Sequence, residues 1–383
     1  MRIVADENIP MLEPLFGQLG EIIRLPGRSM SADQLIDADV LLVRSVTQVN
    51  RDLLQASKIK FVGTATIGTD HIDQQALAEL GIQFASAPGC NADAVVEYVL
   101  SALIHLAHEQ SFSIFEKTVG IVGVGNVGSR LAARLQAMGI QVLLCDPPRV
   151  DQDSSLSDQF TSLTHLLNQA DIVTLHTPLT DQQPHPTHHL LNAENLSLLK
   201  PNAILINAGR GPVIDNEALL SFTEDRPDVT LVLDVWEKEP EVNLQLASRV
   251  RIATPHIAGY SLEGKIRGTW MLYQAYCKFA EISASVRFDD LLPDADVTSM
   301  TLSAQASEQA SLLPLVKLLY DPYQDDRAFR ATLLSDRNEQ KRLFDLLRKT
   351  YPVRREFSAL SLKVSDHQSA QLKALGFSVS ETY

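Results

Sequence analysis

Along the first ninety or so positions, short continuous apolar runs alternate with stretches in which apolar residues recur every three or four places. The runs at 2–5, 40–43, 61–64 and 82–85 predict strands, and the stretches at 32–36, 51–56 and 72–80 predict helices. This βαβα rhythm predicts a small open parallel sheet. Residues 91–108 carry apolar side chains at helical spacing and read as one connecting helix. The rhythm then resumes, with strands expected at 118–122, 142–145, 172–175, 204–206, 230–233 and 251–253. A helical run at 261–281 is placed to return the chain to the first sheet.

The segment 289–296 is acidic and contains a proline, the pattern of a linker. Beyond it, strands are expected at 297–302 and 357–364 and helices at 311–319, 338–349 and 368–375. The expected fold class is therefore α/β, with two doubly wound parallel-sheet domains followed by a C-terminal α+β domain. Because a complete α/β unit precedes the glycine motif described below, a nucleotide-binding Rossmann domain at 91–257 is expected to be inserted into a substrate or lid domain. That lid domain comprises 1–90 completed by 258–283, and the C-terminal domain is 286–383.

With 45% hydrophobic and 21% charged residues, the 383-residue chain can build a core in each of these parts. A net charge of −14 argues against a nucleic-acid partner, since phosphate backbones need a basic face. No uninterrupted apolar segment has the length of a membrane span. The opening Met1-Arg-Ile-Val-Ala-Asp6 lacks signal-peptide architecture, and the expected location is the cytoplasm. Cys90, Cys145 and Cys277 are widely spaced and are expected to be reduced thiols.

The chemistry begins at Gly123-Val124-Gly125-Asn126-Val127-Gly128, between an expected strand and an expected helix. In that setting the first glycine permits a tight turn, the second admits a pyrophosphate to the backbone, and the third allows the helix to pack closely. Phosphate then meets the unpaired N–H groups of the helix N-terminus. Asp146 ends the next strand, near the roughly 20-residue spacing at which a carboxylate reads the ribose hydroxyls. This favours NAD over NADP, although Arg149 nearby is the kind of residue that accommodates a 2′-phosphate. Downstream, Arg210, Glu239 and His256 each lie beside a turn signal at the end of an apolar run. In a parallel sheet such ends line the ligand crevice.

These motifs, together with Leu175-His-Thr-Pro178, Ile206-Asn-Ala-Gly-Arg-Gly211, Leu233-Asp-Val-Trp-Glu-Lys-Glu-Pro240 and Thr254-Pro-His-Ile-Ala-Gly259, resemble the NAD-dependent D-isomer-specific 2-hydroxyacid dehydrogenases. The resemblance implies a metal-free oxidation of a 2-hydroxy acid. His256 is the expected general base, a role suited to a side chain that titrates near neutrality. Glu239 is expected to orient and stabilise it, and Arg210 to bind the substrate carboxylate. Similarity also assigns Thr177, Ala208, Gly209, Arg210, Asp234 and Gly259 to the cofactor. His256-Ile-Ala-Gly-Tyr260-Ser and Leu42-Val-Arg-Ser45-Val-Thr point to a branch that uses a phosphorylated acid. There Ser45, Thr66 and Tyr260 are expected to contact substrate with Arg44 close by, and the third domain to mediate a homodimer.

Two alternatives stay open at this point: another dehydrogenase of the family, including a phosphoglycerate dehydrogenase, and a non-catalytic NAD-sensing binding protein. His185-Pro-Thr-His188-His189 lacks a cysteine or a carboxylate pair at ligand spacing, so a solvated loop is expected there rather than a metal site. The basic cluster 349–355 reads as a solvated or interface segment.

Overall fold

A computed structural model describes residues 1–303, 308–364 and 366–381, so 304–307, 365 and 382–383 of the expected C-terminal domain lie outside the described residues. The chain forms two compact units, Met1–Asn91 with Ser261–Asp294, and Ala92–Tyr260 with Ala295–Tyr383. Among the described residues, no helix is long and apolar enough to cross a membrane.

The first unit holds a five-stranded sheet in the order Glu21–Leu25, Arg2–Asp6, Val40–Val43, Phe61–Thr64, Gln83–Ser86, with every pairing parallel. Val40–Val43 and Phe61–Thr64 are buried at all positions, which is why the first reads as an unbroken apolar run and the second carries only Thr64 as a polar side chain. Glu21–Leu25 was not anticipated. It is an edge strand whose Glu21 and Arg24 are exposed, and such charges keep an edge from pairing further while hiding it from an apolar-run search. Helix Leu262–Phe279 packs on this sheet, with Tyr273 and Tyr276 edge-on or tilted against Phe16 and Phe61.

The second unit is built on a six-stranded parallel sheet ordered Ile252–Ala253, Thr230–Leu233, Ile204–Asn207, Ile172–Leu175, Thr118–Val122, Gln141–Cys145. The strand order reverses at Thr118–Val122, which places a topological switch point where the glycine turn begins. Helix Ala92–Glu109 is buried along almost its entire length, including Glu97, Ser101 and His105.

The C-terminal segment carries helices and a sheet, and the three strands of that sheet, Ser299–Thr301, Ser361–Val364 and Ser378–Glu381, are parallel. The sequence sets 286–383 apart. In the fold, 295–383 packs into the same unit as the nucleotide-type sheet. Its helix Pro322–Thr332 covers the sheet edge: Asp326 accepts from the Ala253 N–H at 2.8 Å, and Arg330 donates to the Ala247 and Val250 carbonyls. Nor is the basic cluster uniformly solvated, because Arg354 is only 4% exposed. It donates to the carbonyls of Ala94 and Ala258 at 2.6 and 3.0 Å and stacks on the Tyr320 ring.

Candidate active site

The residues assigned to the cofactor or to catalysis lie beyond the carboxyl ends of strands in the six-stranded sheet, in the loops there or, for Asn126, Val127 and Gly128, in the first turn of the helix that follows. The turn after Thr118–Val122 has Gly123 at φ 85°, a conformation only glycine adopts freely; a side chain there would meet the Thr177 N–H at 2.7 Å. Gly128 lies so close to Gly123 that a Cβ would stand 2.0 Å from its carbonyl oxygen. Gly125, by contrast, faces open space and is the N-cap of helix Asn126–Ala137, which no side chain caps. An open backbone approach in front of uncapped helical N–H groups fits a pyrophosphate.

Asp146 follows Gln141–Cys145, and its carboxyl accepts from the N–H groups of Val124 at 2.7 Å and Arg149 at 3.3 Å. Arg149 donates to the Val124 carbonyl at 2.8 Å and packs over Phe160, so its charge is drawn back into the protein. Thr177 follows Ile172–Leu175 next to His176, which burial pushes down to about 4 and therefore keeps neutral. Ala208, Gly209 and Arg210 form the turn after Ile204–Asn207. Asn207, which sequence reasoning passed over, braces that turn by accepting from the Gly209 N–H and donating to the Arg210 carbonyl.

His256 and Glu239 meet directly, Nδ1 to Oε2 at 2.7 Å. The other Glu239 oxygen accepts from the Trp236 N–H at 2.8 Å. Burial raises the Glu239 pKa, but the charge and hydrogen bond of His256 outweigh it and hold the carboxyl below its ordinary value. His256 has φ 58°, so its loop needs restraint. Asp234 supplies it. Its Oδ1 accepts from Thr254 Oγ1 at 2.6 Å and the Ile257 N–H at 2.8 Å, its Oδ2 from the Ala258 N–H at 2.9 Å, and its carbonyl from the His256 N–H. Assigned by resemblance to the cofactor alone, Asp234 also organises the loop that carries His256, Gly259 and Tyr260. Trp236 adds a bond to the Thr254 carbonyl at 3.0 Å. An aspartate one residue past an apolar strand was the only sequence signal of this bracing.

Arg44 and Ser45 follow Val40–Val43 in the first unit, and Thr66 follows Phe61–Thr64. Thr66 bonds Thr64 at 2.7 Å and donates to the Gly68 carbonyl. Sequence reasoning missed Lys265 in this unit; burial and, secondarily, the charge of Arg44 push it down to about 8. The loop histidines set aside as a metal site gain a carboxylate, since His188, His189 and Glu237 offer ligand atoms within 4.8 Å of one another. His189 is already hydrogen-bonded to Glu237 at 2.8 Å and lies 3.7 Å from Asp215, and His185 bonds Asp151.

Residues 101–258 match the family described as D-isomer specific 2-hydroxyacid dehydrogenase, NAD binding domain, and 291–376 match a domain family of unknown function. The erythronate-4-phosphate dehydrogenase of Pseudomonas entomophila is 51% identical over 98% of both chains. That of Edwardsiella ictaluri is 52% identical over 98% of this chain and 99% of its own. Among solved structures, D-lactate dehydrogenase from Aquifex aeolicus with NAD and lactic acid aligns with a TM-score of 0.59 at 25% identity, covering 73% of this chain and 96% of that one. NAD-bound 3-phosphoglycerate dehydrogenase from Entamoeba histolytica, at 24% identity and a TM-score of 0.63 over 75% and 97%, shares the fold. The glycine turn and the Glu239–His256 pair thus stand in an NAD-dependent framework, and the chain belongs to the D-isomer specific 2-hydroxyacid dehydrogenases, on the branch of the erythronate-4-phosphate dehydrogenases.

Proposed function

We propose that the protein oxidises 4-phospho-D-erythronate at C2 to 2-oxo-3-hydroxy-4-phosphobutanoate, as a cytoplasmic step in the synthesis of pyridoxal 5′-phosphate. The observation that carries this reading is the 2.7 Å Glu239–His256 pair, in a chain 51% identical to an erythronate-4-phosphate dehydrogenase over nearly its full length. With Nδ1–H donated to Glu239, Nε2 is the basic atom of the ring and takes the C2 hydroxyl proton. Glu239 stabilises the imidazolium that results. Arg210 pairs with the substrate carboxylate through a planar, permanently charged fork and polarises the forming carbonyl. NAD, when bound, would supply the acceptor for the hydride from C2.

Gly123, Gly125, Asn126, Val127 and Gly128 hold the pyrophosphate, and Asp146 reads the adenosine ribose. Thr177, Ala208, Gly209, Arg210, Asp234 and Gly259 contact the rest of the cofactor. Ser45, Thr66 and Tyr260, with Arg44, bind the phosphorylated acid. The C-terminal segment 286–383 forms a homodimer, most simply about a twofold axis.

The deciding measurement is single-turnover formation of bound NADH, read by fluorescence, with 4-phospho-D-erythronate, 3-phosphoglycerate and D-erythronate. Fast reduction by the first alone is expected. Preference for 3-phosphoglycerate would reassign the substrate, and silence with all three would leave an NAD-binding protein. In the same assay His256→Ala should bind NAD yet lose about 10²–10⁴-fold in rate.

A further inference from the structure

The substrate proposed above has two anionic groups: Arg210 is assigned to the carboxylate, and Arg44 to the phosphorylated acid from the first unit. A further arginine enters the unit that holds Arg210 from the C-terminal segment, outside residues 101–258 that match the NAD-binding family. Arg348 lies in the last turn of helix Arg337–Lys349. Its guanidinium carbon stands 5.7 Å from the centre of the Tyr260 ring and 5.8 Å from that of Phe344. The guanidinium also hydrogen-bonds the Tyr260 side chain, and Tyr260 is packed edge-on against Tyr351 at 5.6 Å. Six residues further on, Arg354 donates to the Ala258 carbonyl, so one C-terminal stretch meets the His256–Tyr260 loop at two points.

Two features suit Arg348 to an anion. Its side chain is held against aromatic rings, so little conformational freedom is lost when a ligand arrives. Its donors are also incompletely used: Nε is buried and has no hydrogen-bond partner among the described residues. Glu239 attracts it electrostatically, but the two Glu239 oxygens are taken by His256 Nδ1 and the Trp236 N–H. A dianion beside the Glu239 carboxylate needs a compensating cation, and a guanidinium matches the geometry of phosphate oxygens.

We propose that Arg348, acting with Tyr260, recognises the phosphate of the substrate, which makes the C-terminal segment part of the specificity machinery. This inference rests on the proposed reading of the substrate.

The test compares wild type, Arg348→Gln and Arg348→Lys on 4-phospho-D-erythronate and D-erythronate, with NADH binding as the check on folding. Arg348→Gln should lose about 10²-fold in kcat/KM on the phosphorylated acid, carried by KM, from the charged hydrogen bonds removed. Its loss on D-erythronate should be at least tenfold smaller, and Arg348→Lys should recover part of the difference. Should the glutamine variant fail to fold, competitive inhibition by inorganic phosphate in the lysine variant decides: a weakened inhibition supports the assignment and an unchanged one overturns it. Equal losses on the two acids, or a fall in kcat with KM unchanged, would make Arg348 a support for Glu239 and Tyr260 instead. A wild type indifferent to the phosphate would bring down the substrate assignment itself and this inference with it.

Discussion

Asp234 and Glu97 belong to the same unit and are equally buried, each with 1% of its surface exposed, yet their surroundings differ. Asp234 accepts three short hydrogen bonds from the loop that carries His256. Glu97 accepts from the Phe357 N–H at 2.9 Å, while its Oε2 is buried with no hydrogen-bond partner among the described residues. Burial first, and the charge of Glu356 second, push Glu97 up to about 8 against the opposing pull of Arg354 and Arg134. The His256 loop is thus organised by a carboxyl whose hydrogen bonds are met, and Glu97 meets the C-terminal segment with a carboxyl whose are not. A satisfied buried carboxyl gives a rigid geometry; an incompletely satisfied one makes attachment depend on pH.

The largest effect expected from this contrast is at Asp234. Asp234→Ala leaves Thr254 Oγ1 and the N–H groups of Ile257 and Ala258 without their acceptor. It should cost about 3–5 kcal/mol in urea unfolding and, by misplacing His256, about 10²-fold in turnover. Wild-type turnover in this variant would show that the loop holds its shape without Asp234.

Glu97→Gln is next, and its effect has a sign that changes with pH. A carboxyl whose folded pKa exceeds its unfolded value favours the folded state fully below about 4.5 and loses that contribution as pH rises through about 8. The variant should therefore match wild type near pH 5 and exceed it at pH 9, by on the order of a few kcal/mol. His176 has the opposite slope. Held at about 4 by burial, it adds stability above its ordinary 6.5 and withdraws it as pH falls towards 4. Urea midpoints at pH 5, 7 and 9 check both signs, and a wild type–variant difference that stays constant across pH would remove Glu97 as the source.

The smallest stability change is expected for Gly125→Ala, because the added methyl meets nothing within 4 Å. Stability should stay within about 0.5 kcal/mol while NAD affinity falls at least about tenfold. Unchanged affinity would mean that the pyrophosphate does not approach there.

The central strands and the glycine turn were legible in the chain because each follows from local rules. Val40–Val43, buried at all positions, is apolar throughout, and a backbone at φ 85° selects glycine at Gly123. The edge strand Glu21–Leu25 and helix Pro322–Thr332 were missed: the first carries charge on an open edge, and the second gains its place by covering Ile252–Ala253. The basic cluster 349–355 reads in the sequence as either solvated or an interface segment, and the burial of Arg354 is not legible there because its partners, the carbonyls of Ala94 and Ala258, are distant in sequence.

Sequence alone therefore determined the α/β rhythm, the order of the motifs and the residue types at each strand end, since periodicity and residue type are local properties. Tertiary structure alone decided that Asp234 holds the His256 loop, that Arg348 reaches Tyr260, and that Glu97 meets the C-terminal segment. Burial and hydrogen-bond satisfaction depend on what the rest of the chain brings to a position, and residues that meet across such distances leave no pattern where either one stands.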